Sequence, residues 1–282
     1  MIFERCTAPP HVELTALTPS VGSKVPNGSG CELGELLLDR HDFQLRLAKS
    51  RLTQVESAAL VQRMYRRRGY KVTTQDGAPS RANQLTLQAC SGDHVFGTLT
   101  VRDDSDVGLA ADALYRQEID TYRQAGGHVA ELTRLAVDPE LGSKEVLGAL
   151  FHAAYAVCGP LRDVTDVFIE VNPRHVGFYR RTLNFVAIGE KKICPRVDAP
   201  AVLLHVEVAH VGQQAALYGG NFGEAIQRSL YPYFCDREAA EDLIHRVLAV
   251  AARGDKVPGG NPPTVRKPQT FDTEVGAGGY SG

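Results

Sequence analysis

The stretch Val129-Ala-Glu-Leu-Thr-Arg-Leu-Ala-Val-Asp-Pro139 decides how the rest of the chain is read. Its β-branched and apolar run predicts a strand, and Asp138-Pro139 stops it, because the residue before a proline is pushed away from helical geometry. After a Gly142-Ser143 turn, Val146, Leu147, Leu150, Phe151, Ala154 and Val157 recur at helical spacing. This predicts a helix over 144–158 with one buried face, ended by Gly159-Pro160. Val164 to Asn172 reads as a second strand. Pro173 then sits where a first helical residue belongs, and a short helix over 175–183 follows. Strand, helix, strand, helix in this order predicts two parallel neighbours joined by a right-handed crossover.

Upstream, Phe43, Leu45 and Leu47 alternate with Gln44, Arg46 and Ala48 as in a half-buried strand. Thr53 with Glu56 three residues on predicts a capped helix running to Arg67, before Gly69. Gln84–Cys90 and His94–Arg102 flank Ser91-Gly92-Asp93 as the arms of a hairpin. Asp112–Gln124 is predicted helical, with Leu114, Tyr115, Glu118, Ile119 and Tyr122 along one side. Downstream, Phe185–Ile193 and Ala201–Ala209 predict two more strands, and Asp236 caps a helix to Ala252. Residues 1–40 and 257–282 are rich in Pro and Gly. The first is expected to be an extended or partly disordered leader and the second a disordered tail. Between them, 41–210 is expected to form the folded domain and 211–256 a C-terminal helical extension. The expected class is α/β (α+β), a mixed six- to seven-stranded sheet flanked by helices.

A length of 282 residues and a formal net charge of −2 suit one large domain and give no electrostatic case for a nucleic-acid partner. No apolar run approaches the ~20 residues that span a bilayer, and Met1 to Pro26 lacks the apolar segment of a signal peptide. A cytoplasmic location is therefore expected. Cys6, Cys31, Cys90, Cys158, Cys194 and Cys235 are scattered, without C-x-x-C pairs or clustered histidines, so neither disulfides nor a metal site is expected.

Asn172-Pro-Arg-His-Val-Gly-Phe-Tyr-Arg-Arg-Thr-Leu-Asn-Phe185 resembles the signature of GNAT-type acyltransferases, in which an Asn precedes a helix bearing a Tyr and a Gly-Phe follows. Glu131-Leu-Thr-Arg-Leu-Ala-Val137 is similar to the E-x-[ST]-R-[LF]-x-V segment of the FeeM-type N-acyl amino acid synthases and the acyl-homoserine-lactone synthases. The resemblance runs from Phe43 to about Val208 and implies the GNAT-like acyl-CoA N-acyltransferase fold. It departs at Asn184, where the pattern has Gly; Asn substitutes because it tolerates a left-handed backbone.

The implied activity moves a long-chain acyl group from a thioester to the amine of an amino acid. Such a site must take an ammonium proton, hold an oxyanion and protonate a thiolate. The resemblance places thioester binding on the backbone of Leu135, Ala136 and Val137, where the central strand parts from its parallel neighbour. Glu131 is the candidate base or else a strand charge in an ion pair. Arg134 is a candidate clamp for the acceptor carboxylate, or a partner of Glu131 or Glu170. Strict alternation puts Glu131 and Arg134 on opposite faces, so a joint role requires a bulge. Tyr179 is the candidate acid, or a packed phenol. Asn172 is a helix cap or substrate contact, His175 an alternative base, and Glu170 and Asp112 weaker candidates for the acceptor pocket. An apolar tunnel is expected beside the strand, lined partly by Leu135, Val137, Leu147 and Phe151.

Acetyl-CoA enzymes of this type carry a glycine-rich pyrophosphate loop where this chain has Asp138-Pro-Glu-Leu-Gly-Ser-Lys144. Only Gly142 matches, and Glu140 disfavours a pyrophosphate. An acyl-phosphopantetheine arm on an acyl carrier protein brings one phosphate, which Ser143 and Lys144 can meet. The basic run Arg63, Arg66, Arg67, Arg68 and Lys71 is either a solvated face or the attraction for an acidic carrier. No tightly bound cofactor is implied. The other readings are an acyl-homoserine-lactone-type synthase and a catalytically silent acyl-carrier-binding module.

Overall fold

Val129–Val137 is strand β5, near the middle of a twisted sheet that orders every other element. A computed structural model describes residues 34–70, 83–223 and 228–254. In chain order these form β1 (Glu35–Asp39), β2 (Gln44–Leu47), α1 (Arg51–Arg67), β3 (Gln84–Ser91), β4 (His94–Asp103), α2 (Asp112–Gln124), β5, α3 (Lys144–Ala156) and β6 (Asp166–Val171). The chain continues with α4 (Pro173–Leu183), β7 (Val186–Ala187), β8 (Lys192–Cys194), β9 (Ala199–Glu207), α5 (Val208–Tyr218) and α6 (Arg237–Gly254). The sheet order is β1-β2-β3-β4-β5-β6-β9-β7, with β8 also on β9. Among the described strands only β5 and β6 run parallel, joined through α3 as the sequence predicts.

The sheet separates two apolar layers, and alternation along its strands, interrupted by a bulge in β5, assigns side chains to them. Ala130, Leu132, Val167, Ile169, Leu204 and Val206 point to the layer built from α3, α4 and α6. Val129, Phe168 and Leu203 point to the opposite side, against Tyr115 and Ile119 of α2. Leu60, Val61 and Met64 of α1 cover Ala136 there. Helix α3 is buried along nearly its whole length, which its run of Ala, Leu and Val permits.

Several expectations are corrected. The sheet has nine strands among the described residues. One extra is β1, Glu35–Asp39, placed by the sequence inside the leader; its Leu36-Leu37-Leu38 gains a partner in β2. The other arises because 185–193 is split into β7 and β8, with Gly189 between them packed against the Tyr115 ring. The cap of α1 is Ser50, whose hydroxyl accepts from Thr53 N–H at 3.2 Å, so Thr53 lies inside the helix. The strand predicted to Ala209 ends at Glu207, and α5 begins at once. Asp236 does cap α6, its Oδ1 accepting from Ala239 N–H at 3.0 Å. Cys90, Cys158, Cys194 and Cys235 are free and buried. Residues 1–33 of the leader, Lys71 and the 257–282 tail lie outside the described residues. No described helix is long and apolar enough to cross a membrane.

Candidate active site

Strands β5 and β6 are laddered only over Val129, Ala130 and Glu131, after which they part. The β6-facing backbone groups of residues 132–137 therefore open onto a cavity of about 720 Å³. The register against β4 shows why β5 bends away. Thr133 faces Thr100 and Ala136 faces Thr98, so three steps on β5 match two on β4. This is a β-bulge, with Arg134 in the left-handed region at φ 54°. The extra residue keeps Ala136 on the same side as Thr133 and brings Arg134 to the α1 side, on the face that Glu131 occupies. The bulge that a joint role requires is thus present, although Arg134 also borders a small recess with Gln54, Ser57 and Thr98.

Glu131 is 2% exposed and lines the cavity. Its Oε2 accepts from Ala110 N–H at 2.7 Å. Burial pushes its carboxyl above the usual range, opposed by the Arg196 guanidinium and that hydrogen bond and reinforced by Glu170. Glu170 accepts from Arg196 Nη2 at 2.9 Å. Cys194 completes this cluster, its thiol raised by burial.

Helix α4 presents Tyr179 and His175 to the same cavity. Asn172 caps it by accepting from Arg174 N–H at 3.2 Å, and Asn184 closes it in the left-handed conformation at φ 60°. Tyr179 is buried between Phe151, Phe178 and Phe185, and its hydroxyl makes no hydrogen bond among the described residues. Burial holds this phenol well above its ordinary range, so it stays protonated at neutral pH. Burial and the Arg174 and Arg68 charges push His175 down to about 4, and its Nε2 accepts from Arg174 Nε at 3.2 Å. A lone pair so occupied and so weakly basic makes His175 a poor general base.

Leu135, Ala136, Val137, Leu147 and Phe151 all line the cavity, as does Gly142. A Cβ at Gly142 would stand 2.5 Å from Val137 Cγ1, so only glycine lets the start of α3 come this close to β5. Ser143 caps α3, accepting from Val146 N–H at 3.3 Å, while Lys144 lies over the Tyr233 ring at 5.6 Å. Arg63 pairs with Asp138 at 3.4 Å. Arg66, Arg67 and Arg68 are exposed at the end of α1, and the last two border the cavity. Asp112 stands elsewhere: Arg123 pairs with it at 2.9 Å, and it accepts from Leu109 N–H, so it belongs to the start of α2 and not to the acceptor pocket.

Arg196 escapes the sequence reading because it lies in a turn, and only the return of β9 onto β6 brings it to Glu170. The hairpin that carries it is fastened to α2. The Tyr115 hydroxyl lies 2.8 Å from Ala201 O and 2.9 Å from Glu190 O, and Lys192 Nζ donates to Leu114 O at 2.7 Å. Tyr115→Phe should therefore cost ~1–2 kcal/mol in a denaturant melt and raise the acceptor KM more than it lowers kcat. An unchanged KM would show that the hairpin does not position the site.

The comparisons agree with this geometry. The family model described as N-acyl amino acid synthase FeeM matches residues 56–207, over half of the chain. The structure of FeeM, an N-acyl amino acid synthase from uncultured soil microbes, is 25% identical with a TM-score of 0.55, covering 61% of this chain and 93% of that one. The acyl-homoserine-lactone synthase LasI is 16% identical with a TM-score of 0.44, covering 59% and 90%. An acyl-CoA N-acyltransferase from Pseudomonas aeruginosa is 14% identical with a TM-score of 0.43, covering 58% and 97%. No curated protein matches. With a GNAT-like sheet that parts at β5 and the Glu131 segment in the parting, the chain belongs to the FeeM family of N-acyl amino acid synthases.

Proposed function

We propose that this protein transfers a long-chain acyl group from an acyl carrier protein to the amine of an amino acid. The observation that carries the reading is a single cavity holding both an apolar wall of Leu135, Val137, Leu147 and Phe151 and the buried Glu131 carboxylate. Each CH₂ buried there stabilises a bound chain by ~0.8 kcal/mol. The name of the similar FeeM structure supports an amino acid as acceptor.

In the proposed reaction the acceptor nitrogen attacks the thioester carbonyl carbon. The C–N bond forms first, giving a tetrahedral oxyanion, and the C–S bond breaks as that intermediate collapses. Glu131 takes the ammonium proton directly or through a water, and its raised pKa suits that role. Backbone N–H groups left unladdered around the bulge meet the oxyanion. Tyr179, held protonated, gives its proton to the leaving thiolate and regains one from the second proton that the nitrogen sheds as the amide forms. The phosphopantetheine arm is a co-substrate and not a tightly held cofactor. It would pass Gly142, Ser143 and Lys144, with Arg66 and Arg67 toward the carrier and Arg63 held by Asp138.

Two measurements test this. With one acyl chain on either thioester, kcat/KM is expected to favour the acyl carrier protein. Equal or better turnover of acyl-CoA would remove the carrier from the proposal, and mass spectrometry across the twenty amino acids should find an N-acyl product. Tyr179→Phe is expected to lower kcat less than loss of Glu131 does, because a thiolate is already a fair leaving group. Since its hydroxyl has no hydrogen-bond partner among the described residues, stability should change by no more than ~0.5–1.5 kcal/mol. A Tyr179→Phe enzyme with unchanged kcat at every pH would make the phenol a packing residue only.

A further inference from the structure

We propose that Arg196 reads the α-carboxylate of the acceptor, so that the site takes a free α-amino acid and rejects the corresponding amine. This rests on the function proposed above and adds the group that selects the acceptor class. Arg196 sits in the turn between β8 and β9 and reaches the cavity that Glu131 lines. Its side chain is 33% exposed, whereas that of its partner Glu170 is 8% exposed. The arginine side chain, more than the carboxylate, therefore keeps open area, and it lines the cavity. A guanidinium carries five N–H donors in a planar fork. One carboxylate takes two at most, so Arg196 can hold Glu170 and receive a second carboxylate.

The charges around it are arranged for a zwitterion. Arg196 is the foremost charge acting on buried Glu131, and Glu131 and Glu170 in turn are the two carboxylates acting on Arg196. The order is anion, cation, anion. An α-amino acid carries its ammonium and carboxylate on one carbon, so an ammonium delivered to Glu131 brings its carboxylate toward Arg196 in the same cavity. Of the other cavity arginines, Arg102 is turned to Gly108 O at 3.0 Å, and Arg134 also borders the recess with Gln54, Ser57 and Thr98. The Tyr115 and Lys192 bonds fix the hairpin that bears Arg196 before the acceptor arrives, which is the condition for a selective contact.

The test compares kcat/KM for amino acids with that for their decarboxylated amines, for example leucine against 3-methylbutylamine and phenylalanine against 2-phenylethylamine. The wild type is expected to prefer the amino acid by ~100-fold or more, as sites built to bind a polar group do. Arg196→Lys keeps a charge beside Glu170, and hence the fold, but loses the fork. It should lose ~10-fold or more of that preference, mainly through the amino-acid KM. Arg196→Gln leaves Glu170 without its partner, so Arg196→Gln/Glu170→Gln is measured beside it with a melting curve. The folded double variant should bring amine and amino acid within ~10-fold of each other. A preference unchanged in Arg196→Lys or in the folded double variant overturns the inference. Wild-type enzyme that acylates amines and amino acids equally also overturns it while leaving the proposed function standing. Wild-type enzyme that acylates none of the twenty amino acids removes the proposed function itself.

Discussion

Glu131→Gln is expected to lower kcat by ~10²- to 10⁴-fold at neutral pH, the usual contribution of a positioned general base. The protein should stay folded. Glutamine fills the same volume, and its side-chain carbonyl can accept the Ala110 N–H bond that Oε2 accepts now. Melting should not fall and can rise, and the sign follows from burial. Glu131 has a folded-state pKa raised above its unfolded value, so its contribution to stability is present at low pH and is lost as pH rises through the folded pKa. Wherever Glu131 is ionised its buried charge opposes folding, and the amide removes it. Higher pH should partly rescue turnover, because the acceptor amine, with a reference pKa of ~7.7–8.0 or above, then arrives already deprotonated. A variant with wild-type kcat would make Glu131 a structural charge. Glu170 or a water would then have to serve, because His175 is poorly basic and its Nε2 already accepts from Arg174.

This expectation joins a residue visible in the sequence to a setting that was not. Glu131, Tyr179 and the strand-helix-strand unit were legible because they are local: periodicity places β5, α3 and β6, and the Asn172 to Phe185 pattern places α4. Asn184 at φ 60° is the same kind of success, a single residue whose chemistry states its backbone. What was not legible depends on chain crossing. Arg134 shares a face with Glu131 only because one extra residue enters β5 opposite β4, and nothing in its neighbours signals which strand position bulges. Arg196 reaches Glu170 across 26 positions of sequence, by the return of β9 beside β6. Asp112 was misplaced for the same reason in reverse. A carboxylate near the presumed site in sequence is drawn off by Arg123 in the last turn of α2. Leu36-Leu37-Leu38 fell within a polar leader, and its partner strand alone makes it part of the sheet.

Stability should fall steeply between pH 6.5 and 4, and His152 is expected to be the largest single cause. Burial, with the Arg40 charge, pushes His152 down to about 4 from 6.5. Its Nδ1 accepts from Cys235 N–H at 2.9 Å and its ring stacks on Phe234, so protonation both charges a buried group and sets two donors against each other. The sign is that of a depressed folded pKa: the stabilisation is complete above the unfolded value and is lost as pH falls toward the folded one. At ~1.36 kcal/mol per pH unit this amounts to roughly 3 kcal/mol by pH 4, a large part of the 5–15 kcal/mol typical of a domain. His175, also pushed down to about 4, should add a smaller amount, because it opens onto the cavity where water screens its charge. The experiment is a series of urea melts from pH 7 to 4 on the wild type and His152→Asn. The Asn carbonyl can accept from Cys235 N–H but gains no proton in this range. The variant should be less stable at pH 7, through the space left beside Phe234, yet lose about 3 kcal/mol less on acidification. Parallel pH curves for the two proteins would move the acid sensitivity elsewhere. Because His152 joins α3 to the Cys235 segment that leads into α6, loss of this bond should release α6 before the β5–β6 half of the sheet. Hydrogen exchange at pH 4.5 should then show α6 amides exchanging ahead of those of β5.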